Sequence, residues 1–293
     1  MSNQKYEAFI KTAELGSFKK AADSLGYTQA GISYMLNTLE EELGVSLFIR
    51  DYGGVRLTSE GAQILPWVRD VSNSERHLSA RLSELKHLES GTIRVGCFTS
   101  VAIQWLPGMI QTFLRDYPGI EFDLHCSDDQ KEMEKLVRRG DLDCGFFVLP
   151  VKSELETIPL KRDPMLIVLP KDHPLAEAPN FPISALSEQP YIELNEGDFS
   201  EMRDLFAQYG AKPKTSLTVQ NGHAVMALVS NGFGFSILPE LILHGTTFPL
   251  ICKELETPAF RELAISIRSR ETASAATLKF LDCVRQWLQD HYQ

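Results

Sequence analysis

Apolar residues in the first sixty positions recur at helical steps in short blocks with polar residues between them. Ile32, Met35, Leu36, Leu39 and Leu43 recur at helical spacing, each three or four residues from another of the set. Such spacing predicts one helix with an inward apolar face, leaving Gln29, Ser33, Tyr34 and Asn37 on the outward side. Just upstream, residues 21–26 predict the end of an earlier helix and a tight turn. Ser17 can cap that first helix, Gly26 can supply the positive φ that ends it, and Thr28 can cap the second. Gly44 closes the second helix. Leu47-Phe48-Ile49 and Val55-Arg56-Leu57 then predict two short strands around Asp51-Tyr52-Gly53-Gly54, whose glycine pair suits a hairpin tip.

Two helices joined by a tight turn form a helix-turn-helix, the unit that lays its second helix in the DNA major groove. Gln29 and Asn37 carry the amide groups that read adenine, and Ser33 and Tyr34 can reach bases or phosphates. Lys19 and Thr28 stand at the helix starts, and Arg50 and Arg56 flank a small wing placed to meet phosphates. The competing reading is a plain three-helix core with no nucleic-acid role. Charge does not decide the matter, because residues 1–60 hold six Lys and Arg against eight Asp and Glu, and the whole chain carries a formal charge of -10. Affinity must then depend on where the few cations sit, with helix N-termini facing phosphates, and on more than one copy binding together.

From Thr58 to about Leu88 the stripe Ile64, Val68, Val71, Leu78, Leu82, Leu85 and Leu88 predicts one long amphipathic helix, capped by Thr58 or Ser59 and bent at Pro66. A second copy is its simplest partner, and packing on the chain's own domains is the alternative. Past residue 91, strand-like runs at 93–97, 121–126 and 142–148 alternate with helical stretches near 102–116 and 129–139. That alternation predicts parallel α/β structure. A second set of strands follows Pro164, at 165–169, 191–194, 216–219 and 235–238. A return strand at 263–267 and a helix near 275–290 complete the chain.

The first segment resembles the DNA-binding domain of the LysR-type transcriptional regulators. Phe9, Gly16-Ser17-Phe18, Ala21-Ala22, Leu25, Gln29, Ser33, Leu39-Glu40-Glu41-Glu42-Leu43-Gly44-Val45, Leu47-Phe48, Arg50, Arg56-Leu57-Thr58 and Gly61 keep that family's order and spacing. Tyr34 departs from it, since the family usually has a basic residue there, and Asn37-Thr38 lacks the basic residues often found nearby. The second half resembles the family's effector domain, specifically at Gly140-Asp141-Leu142-Asp143 and at residues 232–239. The resemblance implies an α/β chain of three segments. These are a winged helix-turn-helix over 1–58, a linker and dimerisation helix over 59–90, and a two-lobe effector domain over 91–293 related to periplasmic binding proteins. Lobe 1 would take about 91–162 and 267–293, and lobe 2 about 163–266. Its implied partners are double-stranded promoter DNA, further copies of itself as a dimer or tetramer, and RNA polymerase.

Ligands of open α/β lobes gather at the carboxyl ends of strands. That rule selects Thr99, Ser100, Ser127, Asp128, Phe147 and Val148 in the first lobe. In the second it selects residues 195–200, including Asn195 and Phe199, then Gln220, Asn221 and His223. In the family, the positions of Thr99, Ser100, Ser127, Phe147 and 220–223 line the effector cleft. Helix capping is the plainer reading of each Ser, Thr and Asn, and a simple hydrogen bond the plainer reading of His223. Helix N-termini suit a small organic acid, yet Asp128 and Asp198 add negative charge, no arginine falls at these strand ends, and Phe147, Phe199 and Phe235 offer apolar surface. A partly apolar small molecule is therefore expected as effector, with no cofactor and no metal.

The five cysteines, at 97, 126, 144, 252 and 283, are irregularly spaced and fit reduced thiols. Cys97 and Cys126 end strands that the usual strand order would make neighbours, so a redox pair stands beside the reading of buried structural thiols. No catalytic motif is present, which argues against an enzyme. No apolar run nears the roughly 18 residues of a membrane span, and no export signal is visible, so a cytoplasmic protein is expected rather than an exported solute-binding one. A sensor of the same architecture, responding to a small molecule or to thiol oxidation with little direct DNA readout, is the remaining alternative.

Overall fold

The computed structural model of the protein describes residues 3–51, 54–84, 91–195, 205–207 and 209–292. The chain divides into two compact units, Met1–Leu85 and Lys86–Gln293.

The first unit comprises α1 (Asn3–Leu15), α2 (Phe18–Leu25), α3 (Gln29–Leu43), the antiparallel strands β1 (Phe48–Asp51) and β2 (Gly54–Leu57), and α4 (Ser59–Glu84). Its boundaries have local causes. The Ser17 hydroxyl accepts the N–H of Lys20, Gly26 turns left-handed at φ 71°, and the Thr28 hydroxyl accepts the N–H of Gly31 at 3.1 Å. Phe9, Phe18, Ile32, Leu36, Leu39, Leu47 and Phe48 form the core, with Phe48 meeting Phe9 and Phe18 edge-on at 5.4 and 5.8 Å between centroids. At the root of α4 the Thr58 hydroxyl accepts the N–H of Gly61 at 2.8 Å and donates to the Ser46 carbonyl at 2.7 Å.

The apolar stripe of α4 splits in two. Ile64, Leu65 and Val68 pack onto the first unit's core and Arg69 reaches Glu14 at 3.0 Å, whereas Val71 and Leu78 are 50% and 60% exposed. Three or four residues advance the stripe only about one turn, so a globular domain can cover its start and no more. The expected continuation through Leu82, Leu85 and Leu88 falls outside the described side chains.

In the second unit β3 (Gly91–Cys97), β4 (Ile120–Cys126) and β5 (Cys144–Val148) pair in parallel, with α5 (Thr99–Gln104), α6 (Leu106–Asp116) and α7 (Gln130–Arg139) between them. The parallel pattern stops there. The long strands β6 (Glu156–Pro170) and β11 (Ala259–Ile267) run antiparallel to each other, and β11 also lies antiparallel to β5. Two further strands, β9 (Ser236–Pro239) and β10 (Leu250–Lys253), add antiparallel to β6. The sheet is therefore mixed, in the order β10-β6-β11-β5-β3-β4 with β9 on β6. Short alternating runs do not reveal strand direction, which is why sequence pattern predicted a parallel one. β7 (Pro190–Leu194) and β8 (Lys214–Val219) make a separate parallel pair, followed by α8 (Gly222–Ser230), and α9 (Glu240–Leu243) follows β9.

One core gathers around Ile93, Val95, Trp105, Phe113, Ile265 and Phe280, the last from α10 (Ala275–His291). Two others gather around Phe181, Tyr191 and Phe235, and around Ile192, Val225 and Leu238. The lobes meet along β6 and β11, which serve both. In the motif at 232–239, Gly234 has φ 146° and a Cβ there would lie 2.3 Å from the Pro190 carbonyl oxygen. We expect Gly234→Ala to cost about 1–3 kcal/mol from combined strain and overpacking, read as a lower urea midpoint for the second unit.

Candidate functional site

Within the first unit the polar side of α3 is open. Gln29 and Asn37 are exposed, Ser33 is half-buried, and Tyr34 is 73% exposed, while Ile32, Leu36 and Leu39 lie at 0%. Lys19 is exposed on α2, Thr28 caps α3, and Arg56 is exposed on β2. The side chain of Arg50 lies outside the described ones, although its backbone pairs with Val55. A rigid core thus presents one polar helix face and an adjoining hairpin, the geometry that groove reading requires.

The second unit holds a pocket of about 30 Å³ walled by both lobes. Phe98, Thr99, Ser100, Ser127, Asp128, Gln130, Met133, Phe146 and Val148 come from one side, Pro239 and Ile242 from the other, and Arg261 from the shared strand β11. Asp128 accepts both the N–H and the hydroxyl of Thr99, each at 2.8 Å. Arg261, 6% exposed, pairs with Asp163 at 2.8 Å, donates to the Ser100 hydroxyl at 3.0 Å, and lies 5.0 Å from the Phe98 ring centroid. The other oxygen of Asp163 accepts the N–H of Leu241 at 3.0 Å. The Gln130 amide exchanges two hydrogen bonds with the backbone of Val148, both 2.9 Å.

Of the strand-end candidates, Thr99, Ser100, Ser127, Asp128 and Val148 line this pocket. Phe147 does not, and its expected place in the cleft is corrected. It is 1% exposed and packs with Met133, Val137 and Leu142, because alternation along β5 sends Phe146 and Val148 to the pocket side. Phe235, at 0%, belongs to a lobe-2 core. Asn195, Gln220, Asn221 and His223 are exposed and lie off the pocket wall, and Asn221 caps α8 by accepting the N–H of Ala224 at 3.0 Å. Phe199 lies outside the described residues. Sequence reasoning missed Arg261, Gln130, Met133, Phe146, Pro239, Ile242 and Phe98. Arg261 had one available signal, a charged residue just before the apolar run 263–267.

Cys97 and Cys126 stand in register on β3 and β4 with their sulfurs 3.5 Å apart. Burial, and then the hydrogen bond with Cys126, pushes the Cys97 thiol up, and burial likewise raises Cys144. Cys126 is exposed. Among the described residues no helix is long and apolar enough to cross a membrane.

A capped helix-turn-helix joined to an α/β unit with a pocket between its lobes defines a transcriptional regulator with a DNA-binding and an effector-binding domain. The chain belongs to the LysR family of these regulators. Residues 4–62 match the bacterial regulatory helix-turn-helix of the lysR family and residues 86–289 match the LysR substrate binding domain. The HTH-type transcriptional regulator YvbU of Bacillus subtilis is 32% identical over 98% of this chain and 98% of its own length. YnfL of Escherichia coli is 30% identical over 79% of this chain and 80% of its own. In fold, the chain is similar to a full-length OxyR variant from Pseudomonas aeruginosa (TM-score 0.74, 21% identity, 99% and 95% of the two chains). It is also similar to full-length CbnR complexed with its target DNA (TM-score 0.71, 21% identity, 98% and 100%). The family is one of transcriptional regulators and not an enzyme class.

Two outcomes test the site's construction. Asp163→Ala should cost about 3–5 kcal/mol in urea unfolding, since it strands a buried guanidinium. Under native conditions iodoacetamide should alkylate Cys126 at least about tenfold faster than Cys97 or Cys144, as each pKa unit of upward shift removes a tenfold share of thiolate. Peptide mass spectrometry over a time course reads the order.

Proposed function

We propose that the protein binds double-stranded promoter DNA in the cytoplasm through the outward face of α3, and that a partly apolar small molecule in the inter-lobe pocket controls that binding. The observation that carries the proposal is the pocket's composition. Its walls come from both lobes, so a ligand held there differs in affinity between two lobe arrangements and shifts their balance. The exposed Val71 and Leu78 on α4 favour a dimer built on that helix, with a tetramer assembled from two such pairs. The contact set contains few cations, so paired domains supply the phosphate contacts that one lacks. We propose no enzymatic role, in keeping with a family of transcriptional regulators.

The direct test is salt-dependent binding of the full chain to the intergenic DNA beside its own gene, against a scrambled duplex. Preference for the former is expected, and equal binding at every salt concentration would instead favour a sensor with little DNA readout. On the preferred duplex Gln29→Ala should lose about 1–3 kcal/mol and less on random DNA, whereas Arg56→Ala should weaken both alike and flatten the salt slope. Thr99→Val combined with Ser100→Ala should leave DNA affinity intact and remove the response to effector in the same assay.

A further inference from the structure

Building on the reading of the inter-lobe pocket as the effector site, we infer that it takes a small hydrogen-bond donor without negative charge, an amine or a neutral amide, and rejects carboxylates. Two ionisable side chains line the pocket, Asp128 and Arg261. The positive charge of Arg261 is already matched by Asp163 at 2.8 Å, with both side chains nearly fully buried. Among the described residues of the wall Asp128 meets no second cation, so the charge these residues present to a ligand is negative.

The two donors of Thr99 that would receive a carboxylate are also taken. The backbone N–H and hydroxyl of Thr99 both go to Asp128, so the chain's own carboxylate occupies the place of an incoming one. A ligand anion must eject Asp128 or lie beside it, among Phe98, Met133, Phe146 and Ile242, where apolar walls screen like charges poorly. A donor meets the opposite situation. Each oxygen of Asp128 has a lone pair beyond the bond it accepts from Thr99, and the Ser127 hydroxyl adds a further acceptor.

Size narrows the class further. A cavity of about 30 Å³ holds roughly two water-sized groups. It admits an ammonium or amide head with little attached, and a larger apolar body enters only as Pro239 and Ile242 move away from the opposite wall. Head-group recognition and lobe separation are thereby coupled.

The test is calorimetric titration of the full chain with matched probes, ethylamine, acetamide and acetate, then benzylamine and benzoate. Wild type should bind the amine of each pair at least tenfold more tightly than the carboxylate, with acetamide above acetate. Asp128→Asn, which keeps an oxygen for the Thr99 N–H, should erase that preference. Carboxylates binding wild type as tightly as amines, an amine preference that survives Asp128→Asn, or no binding by any probe would each overturn the inference. Failure of the underlying reading looks different. Carboxylate binding that Thr99→Val with Ser100→Ala abolishes keeps the pocket as effector site and rejects only its charge preference. Probes of either kind that bind equally to that double variant reject the pocket itself.

Discussion

The buried pair between Arg261 and Asp163 is the constraint on which the effector unit's geometry depends. The two residues face each other in register on β11 and β6, the strands shared by both lobes. From that position Asp163 holds the backbone at Leu241, at the start of α9, and Arg261 holds Ser100 in α5 under the ring of Phe98. One ion pair thus ties a helix of each lobe to the same rung of the sheet. Burying two charges contributes little net stability, because desolvation offsets most of the attraction. Its consequence is register: any slip of β6 against β11 would separate the charges in an apolar interior, so the pocket walls are held at one spacing.

The first unit depends on a different kind of constraint. Its core is apolar and its boundaries are set by short side-chain caps, so α3 is rigid while its polar face stays free for solvent or a groove. Its charge count is unfavourable for DNA as a polyanion, which places the emphasis on a few directed contacts. In the effector unit the arrangement is reversed, with polar groups facing inward, the Thr99 donors and the Arg261 charge met by the chain's own carboxylates and the Asp128 oxygens keeping spare acceptor capacity. An anionic ligand there must displace existing hydrogen bonds whereas a donor adds to them, and only a difference in affinity between two lobe arrangements shifts the lobes.

How much was legible follows the range of each contact. Ser17, Gly26, Thr28 and Gly44 act on neighbours three or four residues away, so the helix-turn-helix could be read position by position. Thr99, Ser100, Ser127 and Asp128 follow strands directly, and the strand-end rule found them. Arg261 acts on a residue 98 positions away, and no local pattern marks that pairing. Phe147 was misplaced because period-two alternation needs the correct phase, and a run of five buried residues in β5 carries no polar position to set it.

By itself the sequence determined the capped helices of the first unit, the winged hairpin, the family and most of the strands, but not β10, α9 or the first half of β6, because what it determined rests largely on patterns within a few residues of chain. Tertiary structure alone decided the mixed direction of the sheet, the division of the α4 stripe between a covered start and the exposed Val71 and Leu78, and the charge of the described pocket wall. Those properties arise from which distant residues share a strand register or a wall, and burial removes the choice of partner that an extended chain leaves open.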